Sequence, residues 1–115
     1  MPTPNTIDLV ELPAASAADV QATKKFFNTV FGWTFTDYGD EYIDTRNSGT
    51  ALGVSADESH SAAPLTVLYV ANLTAAYKSV KDAGGTITKE IFAFPGGRRF
   101  HFREPAGNEL AVWSE

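Results

Sequence analysis

Apolar and polar positions fall into two patterns that each occur twice along the chain. Ile7-Asp8-Leu9-Val10-Glu11-Leu12 reads as a strand, and Pro13 stops it. Ser16, followed three residues later by Asp19, resembles a capping box with aspartate in the place of glutamate. Val20, Thr23, Phe27, Val30 and Phe31 then recur at helical spacing, and Gly32 supplies the left-handed stop. The second pattern opens with the strand Leu65–Val70 and the cap Asn72. Its helical stripe is Leu73, Ala76, Tyr77, Val80 and Ala83, and Gly84-Gly85 closes it.

Each helix precedes three shorter extended pieces. The first set is Trp33–Tyr38, Tyr42–Thr45 and Ala51–Val54; the second is Thr86–Phe92, Arg98–Arg103 and Glu109–Trp113. Gly39-Asp40, Asn47-Ser48-Gly49, Pro95-Gly96-Gly97 and Pro105-Ala106-Gly107-Asn108 mark the turns. An offset of 53 residues lays Ala22 on Ala75, Lys25 on Lys78 and Gly32 on Gly85. The chain therefore reads as two βαβββ modules, about 5–55 and 65–115, joined by a polar connector over 56–64. Neither module can bury a sheet face alone, so the two pair within one chain or across a homodimer. The expected fold class is α+β, an open mixed sheet lining a cavity with the helices on its outer face. The 115 residues form a single domain on this reading.

Composition narrows the chemistry. There is no cysteine, which removes disulfides, thiol nucleophiles and cysteine-ligated metals. With only His60 and His101, a three-histidine site is impossible. A net charge of -5 argues against nucleic acid and anionic membranes. No signal peptide opens the chain and no apolar run reaches membrane-spanning length, so a cytoplasmic location is expected.

Three stretches carry a family likeness: Val10-Glu11-Leu12-Pro13, Lys25-Phe26-Phe27-Asn28-Thr29-Val30-Phe31-Gly32-Trp33, and Arg103-Glu104-Pro105-Ala106-Gly107-Asn108-Glu109-Leu110-Ala111-Val112-Trp113. Together they resemble the vicinal oxygen chelate superfamily, which includes glyoxalase I, bleomycin-resistance proteins and extradiol dioxygenases. Glu104 stands where that family's hairpin has aspartate. The resemblance implies a divalent metal held by one side chain on each of four strands. The corresponding positions here are Leu9, Gly53, Leu65 and Ala111, none of which offers a donor atom. No metal and no other cofactor is therefore expected.

Strand alternation, set by that placement, turns Glu11, Val67 and Tyr69 toward the cavity together with Glu109, Ala111 and Trp113. The family pattern adds Arg99, His101 and Arg103, with Phe100 and Phe102 under the helices. Glu11 is either a structural partner of Arg99 or a general base. His101 is either a proton-transfer group or a hydrogen-bonded structural histidine. Arg99, Tyr69, Glu109 and Trp113 are the candidate ligand contacts, and the run Phe92-Ala93-Phe94 offers an aromatic wall. His60, in the connector, is either solvated or part of a lid. The leading expectation is a metal-independent protein that binds a small, partly apolar molecule. The alternatives are a glyoxalase-like lyase or isomerase using Glu11 or His101 as acid–base, or a metal enzyme with a shifted ligand register.

Overall fold

Alternation and capping produce the elements in the expected order in the computed structural model, which describes residues 2–57 and 63–115. The strands and helices are β1 (Thr6–Pro13), α1 (Ala17–Phe31), β2 (Thr36–Asp37), β3 (Tyr42–Thr45), β4 (Ala51–Ser55), β5 (Leu65–Tyr69), α2 (Leu73–Asp82), β6 (Thr86–Phe94), β7 (Gly97–Arg103) and β8 (Glu109–Ser114). Eight strands and two helices make an α+β fold with a mixed sheet that is not closed. His60 lies outside the described residues. No helix among the described residues is long and apolar enough to cross a membrane.

The chain divides into two compact units, residues 9–65 and residues 1–8 with 66–115. In the first, the strand order is β2-β3-β4-β1, with β1 parallel to β4 and the other pairs antiparallel. The side chain of Ser16 accepts the Asp19 amide at 3.2 Å and starts α1, and Gly32, at φ 74°, ends it. The apolar core of this unit is Val20, Ile43 and Val54, with Leu12, Phe35 and Leu52 packed on it.

Two expectations fail here. The piece Trp33–Tyr38 pairs as a strand only at Thr36 and Asp37. Thr34 gives its amide to Asn47 Oδ1 at 3.0 Å and its hydroxyl to the same oxygen at 2.6 Å, so its amide bonds a side chain instead of a strand. The helical stripe is also covered only in part, with Thr23 and Phe27 half-buried. Val20 is fully buried, whereas Val30 and Phe31 are 52% and 59% exposed. With β2 only two residues long, little sheet is built for the second half of α1 to rest on.

In the second unit the order is β5-β8-β7-β6, with β5 parallel to β8 and antiparallel pairs beyond it. Asn72 accepts the Ala75 amide at 3.0 Å to start α2. Leu73, Ala76, Tyr77 and Val80 pack on Phe100, Phe102, Leu110 and Val112, as alternation predicts. The hairpin after β7 is held by Glu104, whose carboxylate accepts the Asn108 amide at 2.8 Å. The longer acid thus still closes the turn, with Gly107 supplying φ 92°. Arg103 lies opposite Glu109, on the expected face, but at its exposed end, and donates to the Gly107 carbonyl at 3.3 Å.

Candidate functional site

The second unit gathers five of the six residues singled out above on its β5, β7 and β8 strands. Opposite partners in a sheet share a face, and His101 lies opposite Ala111, Arg99 opposite Trp113, and Tyr69 also opposite Trp113. Phe100, Phe102, Leu110 and Val112 take the helix side. The period of two therefore leaves Arg99, His101, Glu109, Trp113 and Tyr69 together on the other face.

The centre of this face is a buried arginine–histidine pair. Arg99 is 3% exposed and His101 is fully buried. Arg99 Nε and Nη2 lie 3.2 and 3.1 Å from His101 Nε2. A guanidinium has no acceptor atoms, so both nitrogens donate and Nε2 must offer its lone pair. The neutral imidazole then carries its proton on Nδ1, which faces Glu109 Oε2 at 3.8 Å, beyond hydrogen-bond length. Glu109 is oriented by Thr88, whose hydroxyl donates to the same carboxylate oxygen at 2.6 Å. Arg99 thus sets the tautomer of His101, while Glu109 is held by Thr88 rather than by the imidazole.

Aromatic rings surround the pair. The Arg99 guanidinium lies 5.8 Å from the Phe92 ring centroid and 5.9 Å from that of Phe94, and Phe92 meets the His101 ring at 5.8 Å. Phe94 packs edge-on to Trp113, which meets Tyr69 at 4.9 Å. Trp113 Nε1 donates to Asp8 at 3.1 Å, and the Tyr69 hydroxyl donates to Glu115 at 2.6 Å. That bond to a carboxylate raises the Tyr69 phenol above its usual value, because the bonded proton is harder to remove.

Two register shifts in β6 place the Phe92–Phe94 wall. One lies between Ile87 and Lys89 and the other between Lys89 and Phe92. They bring Lys89 opposite His101 and Phe92 opposite Arg99, while Ile87 and Ile91 pack toward α2. Strict alternation cannot find these positions. Thr88 and Lys89 are therefore neighbours of the site residues that strand alternation does not reveal, and Asp8 and Glu115 join them only through the fold.

Glu11 belongs to the first unit. It is 3% exposed on β1. Its neighbour on β4 is Gly53, whose other neighbour, on β3, is Asp44. The two acids therefore share a face across one glycine, with Cα atoms about 10 Å apart by strand spacing. The Tyr42 hydroxyl lies over that glycine: a Cβ there would sit 2.5 Å from it. Burial raises the Asp44 carboxyl above its usual value, against the lowering effect of Arg46. Asp44 and Tyr42 were not legible in the sequence, because their relation to Glu11 exists only through the pairing with β4.

The positions corresponding to the family's metal ligands do not suit a metal. Leu9, Leu65 and Ala111 end in hydrocarbon, and Tyr42 takes the space a side chain at Gly53 would need. Among the described residues no three histidine, aspartate or glutamate side chains converge as a metal-binding group.

With this geometry in hand, comparison with known proteins assigns the family. Residues 7–112 match the Glyoxalase/Bleomycin resistance protein/Dioxygenase superfamily, and the chain belongs to it. Solved structures share the fold at low identity. One, described as an NAD-dependent benzaldehyde dehydrogenase from Legionella pneumophila, is 13% identical with a TM-score of 0.74, over 92% of this chain and 96% of that one. A superfamily member from Vibrio splendidus 12B01 is 14% identical with a TM-score of 0.68, over 93% and 97%. The Mn(II)-bound glyoxalase of Novosphingobium aromaticivorans is 20% identical with a TM-score of 0.67; the match covers 99% of this chain and 40% of that one. No match was found among curated proteins.

Proposed function

We propose that this superfamily member binds a small, partly apolar molecule on the Arg99–His101 face without a metal. The observation that carries the reading is the charge-assisted pair itself: Arg99 and His101, at 3% and 0% exposure, bonded at 3.1 Å beneath aromatic rings. A few oriented polar groups among aromatic walls is the usual composition of a small-molecule site. The donor-free residues at Leu9, Gly53, Leu65 and Ala111 support metal independence. On this reading Arg99 and Trp113 contact the ligand, Glu109 and Tyr69 border it, and His101, its lone pair taken by Arg99, holds the guanidinium in place.

A thermal-shift screen of small carboxylates, aldehydes and ketones, run in chelator, tests the proposal. A true ligand at a hundredfold excess over Kd stabilises by about 2.7 kcal/mol. Arg99→Lys keeps the charge but loses the double donation to His101, and it should weaken a hit at least tenfold. A hit that binds the variant equally, or only when a divalent ion is added, overturns the reading.

Glu11 supports a second reading, acid–base catalysis, because it is a buried carboxylate neighbouring a tyrosine-covered glycine. If the protein turns over a carbonyl compound found in the screen, Glu11→Gln should cut kcat at least a hundredfold with little change in KM. Unchanged kcat would remove Glu11 from the chemistry.

A further inference from the structure

We propose that the first unit carries a separate binding groove for a small aromatic anion, such as an aryl carboxylate or sulfonate, between α1 and the segment that follows it. The groove has a volume of about 480 Å³ and is lined by Gln21, Lys24, Lys25, Asn28, Trp33, Thr34 and Phe35. That volume falls within the range of small-molecule clefts. One wall follows from helical geometry: positions 21, 24, 25 and 28 are spaced i, i+3, i+4, i+7 and form a single stripe. On an ordinary surface helix such a stripe is apolar and the rest is polar. In α1 Val20 keeps to the core, Phe26, Val30 and Phe31 are more than half exposed, and a separate flank of lysines and amides faces the groove.

The opposite wall is aromatic and held in place. Trp33 stacks on Phe27 and Phe31 at 5.1 and 5.2 Å, and Phe27 stacks on Phe35 at 6.3 Å. Asn28 Nδ2 donates to the Trp33 carbonyl at 3.0 Å, tying that wall to the helix, and Asn47 holds Thr34 through both its amide and its hydroxyl. The aromatic wall therefore adds little ordering cost to binding.

Charge selects the ligand. Two ammonium groups line the groove, and Lys24 alone is matched by a carboxylate, Asp37 at 2.9 Å. Lys25 has no ion pair among the described residues. The groove is thus locally positive in a chain of net charge -5. A flat ring lies on Trp33 and Phe35 while its anionic group reaches Lys25, with Gln21 and Asn28 available to its oxygens.

The test is an amide-resolved NMR titration of the intact protein with 2-naphthoate, with 2-naphthylmethylammonium as the cationic isostere. Naphthoate should bind with a Kd of about 1 mM or tighter. Its shifts should centre on residues 21–35, and the cation should give no saturable shift there. Lys25→Glu, on the exposed helix surface, should weaken naphthoate at least fivefold and leave the unbound spectrum otherwise intact. The proposal is overturned if naphthoate leaves residues 21–35 unshifted, if both isosteres bind equally, if Lys25→Glu has no effect, or if the shifts centre on residues 97–114. The last outcome would favour the Arg99–His101 face instead, so the two sites are judged separately.

Discussion

α1 and α2 start alike, each on a polar side chain that accepts an amide of its first turn, and their repeats align in sequence. They differ in what lies beneath them. α2 rests on β7 and β8, which present Phe100, Phe102 and Val112, and its apolar stripe joins the core. α1 meets short strands, buries Val20, and leaves Phe26, Val30 and Phe31 exposed. A periodic pattern thus predicts that a helix forms, while the length of the neighbouring strands decides whether its apolar side is covered.

The largest expected contrast is between two phenylalanines. Phe100→Ala opens a cavity in the second unit and should cost about 3–5 kcal/mol in urea unfolding. Phe31→Ala removes a solvent-facing ring with one stacking contact on Phe27 and one on Trp33, and should cost about 1 kcal/mol. If Phe31→Ala matched Phe100→Ala, α1 would be covered in solution and the contrast would fail.

The next effect belongs to the first unit's polar face. Gly53→Ala forces a methyl against the Tyr42 hydroxyl and should destabilise by about 1–3 kcal/mol. In a Tyr42→Leu background the same change should cost markedly less, a coupling that a double-mutant cycle measures. Equal costs in both backgrounds would mean that Tyr42 does not fill the space at Gly53.

Removing the caps sharpens the comparison further. Asn72→Ala should cost about 1 kcal/mol of global stability, because α2 is part of its unit's core. Ser16→Ala should appear mainly as faster hydrogen exchange in the first turn of α1, with a smaller global loss.

The smallest effect concerns pH. Burial raises the Asp44 carboxyl, so the folded protein binds that proton more tightly than the unfolded chain. Stability should therefore fall as pH rises from the usual carboxylate range through the raised value. Asp44→Asn should remove that slope and be neutral to slightly stabilising at pH 7, within about 0.5 kcal/mol. A loss of stability at pH 7 would show that the carboxylate is favourably paired.

Much of the fold was legible because it depends on local rules. Ser16, Gly32 and Asn72 mark helix ends, and the alternation of Phe100, Phe102, Leu110 and Val112 identifies the helix side of β7 and β8. The inward side of β7, with Arg99 and His101, came from the family resemblance, and the pairing with β8 agrees with it. Two things were not local. The bulges of β6 break the period of two, so the partners of Lys89 and Phe92 could not be read off. The grouping of Glu11, Gly53, Asp44 and Tyr42 depends on which strands pair, which no single segment encodes. The shortness of β2 has a related cause: Trp33–Tyr38 has strand-like residues, yet Asn47 holds Thr34 by a side-chain bond.

Long-range ¹H–¹⁵N NMR of the imidazole nitrogens tests the Arg99–His101 arrangement most directly. With two guanidinium donors on Nε2, His101 should be a neutral ring protonated on Nδ1 at pH 7, and Arg99→Lys should shift the Nε2 resonance. A ring protonated on Nε2 in the wild-type protein would contradict the account, because Arg99 could not then donate to that nitrogen.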